Sequence, residues 1–284
     1  MTHRHRLHAT YLALSLPALL YLGLQLPLLG SAAHTALTDE SGALTLEHVR
    51  RVFADPLVVS AVVNNTLLPL FSVALEAAVG LVMALWFYRI RRGKTLWRTV
   101  AIVPFAVPEI VYLLTMKLIF REHGYLNSLA LGAGVLDHLP GWLTPGTALL
   151  FVVMVLVDAW RVTPLVFLIV LSALEQLDES VLEAATVDGA RTLQVVRFIQ
   201  VPLALPALAV AIALRAVDAF RIFATPLVLV GVQGFPVLTS VAYHYQADLH
   251  DAPAANVVAL ALGCGLAAAA LVGFALARRR ERIV

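Results

Sequence analysis

The sequence predicts an all-α integral membrane protein of six transmembrane helices with both termini on the cytoplasmic side. Three observations predict it. Apolar residues make up 61% of the 284 and charged residues only 13%, against roughly 25% charged in a soluble domain. Six stretches stay apolar over about 20 residues or more, the length that crosses about 30 Å of hydrocarbon. Lys and Arg gather in alternate loops, and that bias sets orientation.

The first stretch covers about 10–30. Its basic start (Arg4, Arg6) and small residues (Ser31-Ala32-Ala33) would also suit a cleaved signal peptide, but it is longer than a signal core of about 7–15 residues and is read as a retained span. Removing it would not change the orientation of later spans. The second, 58–88, exceeds a perpendicular crossing, so it tilts or emerges from the bilayer. Asn64-Asn65-Thr66 within it has the form of a glycosylation sequon but lies in an apolar helix, where it reads as polar packing. The third, 97–120, carries Pro104 and Pro108, which predict a kink. The fourth, fifth and sixth cover 147–174, 203–230 and 256–277.

One set of connections holds Arg4, Arg6, Arg89, Arg91, Arg92, Lys94, Arg98, Arg191, Arg197, Arg278, Arg279, Arg280 and Arg282; the other holds Arg50, Arg51 and Arg121. Thirteen against three places both termini inside. The outer connections, about 31–57, 121–146 and 231–255, are too short for a separate domain. Residues 1–284 thus form one integral membrane unit, with a cytoplasmic segment at 175–206.

Mean hydropathy of +0.88 excludes a soluble globule, and disorder needs the opposite composition. A net charge of +2 does not argue for nucleic acid. The single cysteine, Cys264, excludes an internal disulfide framework and a Cys-based zinc site; it reads as a small packing residue. Gly93-Lys94-Thr95 resembles the end of a phosphate-binding loop, but Tyr88 stands where that loop needs its first glycine. No His-Glu-x-x-His pair and no Gly-x-Ser-x-Gly elbow is present. The chain therefore carries no sign of catalysis, of ATP hydrolysis, or of a cofactor or metal of its own.

The segment 175–206 is the most informative. Leu182-Glu183-Ala184-Ala185-Thr186-Val187-Asp188-Gly189-Ala190 runs on through Arg191, Arg197, Phe198 and Ile199 to Pro202 and Pro206. It reads as a short helix, a turn and a second short helix. Gly189 can take the left-handed conformation that closes the first, and Asp188 can cap the second. Pro202 and Pro206 mark re-entry into the bilayer. Small residues with a few charges suit docking into another protein's groove.

Glu183, Ala184 and Ala185, Gly189 four residues on, Ile199 after nine more and then Pro202 closely resemble the EAA motif of the membrane subunits of binding-protein-dependent ABC importers. Val201 replaces the usual Leu. Arg92-Gly93-Lys94-Thr95-Leu96-Trp97-Arg98 leading into Pro104 and Pro108 resembles the opening of the third span in sugar permeases. Asp158-Ala159-Trp160-Arg161-Val162-Thr163-Pro164 is similar to their fourth span. Asp218-Ala219-Phe220-Arg221-Ile222-Phe223 with Leu227-Val228-Leu229 is similar to the fifth-span signature of disaccharide and glycerol-phosphate permeases. Gly231-Val232-Gln233-Gly234-Phe235-Pro236 departs from the Thr-Gly-Gly-Gly-Pro that usually follows.

The resemblance implies the type I ABC importer permease fold and a place in a bacterial or archaeal plasma membrane. Glu183, Ala184, Ala185, Asp188, Gly189, Ala190, Ile199 and Pro202 would couple to a separate ATP-binding cassette dimer, which would bind ATP and Mg. A second homologous permease, an extracytoplasmic binding protein, a sugar substrate and membrane lipid would complete the system. Trehalose and maltose are the implied sugars, with glycerol phosphate or another small solute as the alternative. An ion-driven carrier would need internal repeats with broken helices, and none is visible; a membrane-embedded enzyme would need a catalytic constellation.

Charged residues in membrane spans usually face protein or a water-filled cavity, because they cost about 2.5–3.5 kcal/mol at mid-bilayer. Glu76, Glu109, Lys117, Asp158, Arg161, Arg215, Asp218 and Arg221 are such residues. Asp158 and Arg161, three apart, share a helix face, and Arg215, Asp218 and Arg221 repeat that spacing. They either brace the helices as ion pairs or, with Tyr112, Trp160, Phe220 and Phe223 supplying aromatic faces, line a path for a sugar. A phosphate substrate would want Arg161, Arg215 or Arg221 unpaired.

Overall fold

A computed structural model describes residues 2–39, 41–90, 92–135 and 139–281. The order is α1 (Thr2–Leu37), α2 (Glu47–Ala54), α3 (Pro56–Tyr88), α4 (Lys94–Ala106), α5 (Glu109–Phe120), α6 (Tyr125–Gly132) and α7 (Ala148–Leu174). Then follow α8 (Glu179–Val187), α9 (Thr192–Val195), a π-helical turn (Val196–Gln200), α10 (Val201–Phe220), α11 (Ala224–Gly234), α12 (Leu238–Tyr243), a second π turn (His244–Asp248) and α13 (Ala252–Glu281). The extended pairing among the described residues is one isolated antiparallel bridge, Thr38 to Leu44.

Among the described residues four helical runs are long and apolar enough to cross a bilayer: Pro56–Tyr88, Ala148–Leu174, Thr192–Gly234 and Ala252–Leu271. A fifth crossing is available if α4 and the run 109–132 act together, though they meet at 85°. The predicted kink in the third stretch is thus nearly a right angle. It falls at Val107, which is extended (φ −72°, ψ 132°) because the following Pro108 disfavours the helical region for its neighbour. Pro104 stays inside α4. The predicted first span lies within α1. Arg91 and Arg282 of the charge count lie outside the described residues, as do the side chains of Arg4, Arg6, Arg278, Arg279 and Arg280.

The centre of the molecule is α3 against α7, with α10 packed on both. Gly80 lets α3 approach closely: a Cβ there would lie 2.8 Å from Val166 Cγ1 and 3.1 Å from the Phe167 amide nitrogen of α7. Phe87, Phe167, Val170, Leu174 and Leu208 fill the end of this seam nearest α8. Leu113, Leu150, Met154 and Leu229 form a second cluster, and Val52, Val58, Val241 and Val258 a third. Leu70, Val82, Trp86 and Leu214 point outward, where a bilayer or another chain would cover them. Cys264, expected to be a packing residue, also faces outward on α13.

The fifth stretch is not one unbroken helix. α10 ends at Phe220 and α11 begins at Ala224, with Phe223 at φ −134°, ψ −56° between them. A break at membrane depth must have its freed backbone groups satisfied by other protein groups. Asn65 of α3 does this. Its Nδ2 donates to the Phe220 carbonyl at 2.9 Å, and its Oδ1 accepts from the Leu238 amide at 3.2 Å. Thr239 donates to the Ile222 carbonyl, and Asn64 donates to the Pro236 carbonyl at 2.9 Å. The polar packing expected of Asn64 and Asn65 is therefore the capping of a neighbouring helix break.

Candidate functional site

Two regions gather the residues that carry chemistry. The first is the segment after α7, at 175–206. Asp178 starts α8, its Oδ1 accepting from the Ser180 amide at 3.0 Å. That backbone bond, with the Ser180 hydroxyl, holds the Asp178 carboxyl below its ordinary value. α8 closes on a left-handed Gly189 (φ 78°). The Gly189 amide bonds the Thr186 carbonyl at 3.0 Å and the Ala190 amide bonds the Ala185 carbonyl at 2.9 Å, the paired closure of a Schellman turn. Ala184, Ala185, Gly189 and Ala190 are thus small where the turn is tight.

Asp188 does not cap the next helix. It is the last residue of the α8 turn, its amide bonded to the Ala184 carbonyl at 2.9 Å. The N-cap of α9 is Arg191, whose amide is taken by Gln194 Oε1 at 2.7 Å. The predicted second short helix is also not separate. α9 runs through the π turn into α10, so one continuous helix extends from Thr192 to Phe220. Pro202 lies just inside α10, directly after the π turn that joins the two helices.

Glu183 and Ala184 are exposed, as are Val181, Val187, Leu193 and Phe198. Asp188, Gly189, Ala190, Gln194, Val195, Phe198 and Ile199 line a shallow hollow of about 300 Å³. Ile199 is half-buried and Pro202 exposed. Beside this segment, Lys94 and Arg98 of α4 both pair with Glu175 at the end of α7. Partial burial raises the Glu175 carboxyl, but the Lys94 hydrogen bond and the Arg98 and Lys94 charges outweigh it and hold it below the usual range.

The second region lies between the spans. Arg215 of α10 is 1% exposed and Glu76 of α3 is fully buried. Arg215 Nε meets Glu76 Oε2 at 2.6 Å and Nη2 meets Glu76 Oε1 at 2.8 Å, a two-pronged pair. Nη2 also reaches Asp158 Oδ2 of α7 at 3.1 Å, and Nη1 reaches Asp218. Ser72 donates its single hydroxyl proton between Glu76 Oε1, 2.9 Å away, and Asp158. One guanidinium therefore ties three helices together. Ser72 carries no sequence signal of its own, since a serine in an apolar helix is common; Glu76 was visible as an intramembrane charge.

Asp158 and Arg161 share a turn yet do not pair. Asp158 points to α10, while Arg161 meets Glu109 of α5 at 3.1 Å. The spacing within α7 set a common face only loosely, and the packing of α5 and α10 on opposite flanks decided the partners. Arg215 and Asp218 do pair as the spacing suggests, and the Asp218 side chain is 71% exposed. Tyr112 is buried, its hydroxyl donating to the Val157 carbonyl at 2.7 Å. Trp160 is 62% exposed and Arg221 is exposed; no ion pair of Arg221 is found among the described residues. Phe220 is half-buried, and Phe223 stacks edge-on with Tyr243 at 5.7 Å. Lys117 donates to the Val228 carbonyl of α11 at 2.8 Å. Among the described residues no group of three or more metal-ligating side chains forms.

Comparison with known proteins is consistent with this layout. Residues 77–282 match the family described as "Binding-protein-dependent transport system inner membrane component". The chain is 35% identical over 162 residues to the trehalose/maltose transport system permease protein MalF of Thermococcus litoralis, covering 56% of this chain and 54% of that protein. It is 30% identical over 200 residues to the trehalose transport system permease protein SugA of Mycobacterium tuberculosis, covering 69% and 62%. The matched stretches thus span about half to three-fifths of the length of these relatives. The fold matches a chain in the crystal structure of a bacterial ABC transporter involved in the import of the acidic polysaccharide alginate, with TM-score 0.83, 17% identity, and coverage of 97% of this chain and 96% of that one.

Proposed function

The chain belongs to the family of binding-protein-dependent transport system inner membrane components, and on that premise we propose that it is the permease subunit of an ATP-driven importer of a neutral sugar. Trehalose and maltose are the first candidates. The chain is a transport subunit and not an enzyme; a separate ATPase binds ATP and Mg and hydrolyses the nucleotide. A binding protein delivers the sugar from outside, and a second homologous permease supplies the other half of the path. In this reading the chain crosses a plasma membrane six times, with α1 as the first span and the bent α4–α5 pair as the third, and the Lys and Arg bias of the loops supports both termini being cytoplasmic.

The observation that carries this reading is the continuity of the cytoplasmic segment with the buried ion network. The exposed α8–α9 surface, with Glu183, Asp188 and Gly189 at its turn, leads without interruption into α10. Arg215 lies 15 residues beyond Gln200 on that helix, about 22 Å at 1.5 Å per residue. A push on α8 and α9 by an ATPase would reach Glu76 and Asp158, and through them α3 and α7. Nucleotide and sugar would then favour different arrangements of the same helices, which is how ligands shift a two-state equilibrium.

The charges support a neutral substrate. Arg215 is occupied by three carboxylates and Arg161 by Glu109, so two of the three arginines an anionic substrate would want are engaged, and Arg221 alone has no ion pair among the described residues. Asp218 is paired with Arg215 but its side chain is 71% exposed, so it can also accept hydrogen bonds from hydroxyl groups, and Trp160 and Phe223 offer apolar faces. The test is uptake of labelled trehalose and maltose into vesicles holding this chain, its partner permease and the ATPase. ATP-dependent uptake that needs the binding protein and the ATPase is expected. Uptake driven by an ion gradient without ATP would overturn the reading.

A further inference from the structure

We propose that the π turn Val196–Gln200 is a register switch between the docking segment and α10, with the Gln200 amide as the group that sets the balance between its two registers. The inference rests on the importer reading above, because it places the switch in a chain driven through α8 and α9.

The turn has a cause in the sequence. Pro202 has no N–H, and a proline ring inside a helix collides with the carbonyl four residues back, here that of Phe198. The helix widens in response: the Val201 amide bonds the Val196 carbonyl, five residues back instead of four. A π turn is an α-helix holding one extra residue, and such turns gather at functional sites. Releasing that residue would rotate everything before it by about 100° and shift it by about 1.5 Å along the axis.

A buried polar atom within the turn is also unsatisfied. Gln200 is 4% exposed, and its Oε1 has no hydrogen-bond donor. Among the described residues one other buried side-chain polar atom is in that position, Nε of Arg98. A buried amide oxygen without a donor is costly. An α register would leave the Phe198 carbonyl short of its usual donor, while the π register leaves Gln200 Oε1 short. Each state lacks one bond, so neither dominates by much. That is the condition for a switch.

The two ends are held unequally. Beyond the turn, α10 is clamped by Arg215 to α3 and α7. Before it, α8 and α9 expose Val187, Leu193 and Phe198 and bury no residue. Torque applied by a docked ATPase would therefore meet Val196–Gln200 first, and the register there would set how much of it passes on into α10 and the Arg215 network.

The test uses the transporter assembled with its partner permease, ATPase and binding protein. Gln200→Leu removes the unsatisfied oxygen and favours the π register. It is expected to raise thermal stability, leave co-purification of the ATPase intact and lower substrate-stimulated ATP hydrolysis about tenfold, the size expected when one buried acceptor no longer discriminates between states. Pro202→Ala restores the donor and favours the α register; it is expected to raise unstimulated hydrolysis and blunt the response to substrate. A Gln200→Leu transporter that is less stable than the wild type, or more stable with normal stimulation, overturns the switch. So does a Pro202→Ala transporter that hydrolyses like the wild type or fails to assemble. If the wild-type chain itself neither binds an ATPase nor answers to substrate, the importer reading fails, and this inference with it.

Discussion

Arg215 and Glu76, 139 residues apart, meet through two hydrogen bonds of 2.6 and 2.8 Å with neither side chain in contact with solvent. A buried pair of this kind gives little net stability, because desolvation offsets most of the attraction, but removing one partner strands the other. Arg215→Leu would strand Glu76 and Asp158 together and is expected to destabilise the transporter by about 3–5 kcal/mol. Asp218→Asn touches only the exposed arm of the network. It is expected to leave thermal stability near wild type and to lower sugar transport, measured by melting in detergent and by vesicle uptake. Normal transport by Asp218→Asn would remove Asp218 from the path.

Asn65 joins the end of α10 to the start of α12 from a third helix. Asn65→Leu keeps the volume and removes both bonds. Each buried backbone group left unsatisfied costs about 1–3 kcal/mol. Hydrogen exchange is expected to quicken at the Leu238 amide, and a variant with unchanged protection there would show that the break at 221–223 holds without Asn65.

Gly189 tests the docking surface. No atom lies within 4 Å of a Cβ placed there, so the cost of a side chain is the positive φ of 78° and not a clash. That costs about 1–2 kcal/mol for a non-glycine residue, more for a β-branched one. Gly189→Val is expected to insert in the membrane and assemble with its partner permease, yet lose stimulated ATP hydrolysis. Glu183→Lys, reversing an exposed charge, is expected to do the same by weakening co-purification with the ATPase.

Glu175 links α4 to α7 and carries a pH dependence of known sign. Its carboxyl is held below the usual value by Lys94 and Arg98. A depressed carboxylate contributes stability that is fully present above the ordinary carboxylate range and is lost as pH falls through the lowered value. The side chain is 30% exposed, so solvent screens the effect. Once the intrinsic pH dependence of exchange is divided out, amides of α4 should lose protection as the pH falls through the lowered value, and Glu175→Gln should abolish that dependence.

Orientation can be read by labelling in intact cells, after Cys264→Ser removes the exposed native thiol. Single cysteines at Thr95 and Arg280 should react only with membrane-permeant reagents, and one at Gly42 with impermeant reagents as well. The reverse pattern would sink the arrangement with both ends inside.

The apolar spans, the kink near Pro108, the helix end at Gly189 and the short helix before it were legible in the sequence because each depends on neighbours along the chain. Hydropathy over about 20 residues needs no partner, and a glycine closes a helix by its own freedom of φ. The choice of partner for each buried charge was not legible. Asp158 and Arg161 sit one turn apart and would pair on a free helix. In the folded chain Asp158 turns to Arg215 and Arg161 to Glu109, because α10 and α5 bring stronger partners to the two sides of α7. The break after Phe220 and the π turn before Pro202 follow the same division. The residues that disturb the helix are local, but what satisfies the freed groups is not. Asn65 and Thr239 reach the break from other helices, and Gln200 is left without a donor by the packing around it. Tertiary structure decided these points because a buried polar atom takes whichever partner the packed helices bring within about 3 Å, at any distance along the sequence.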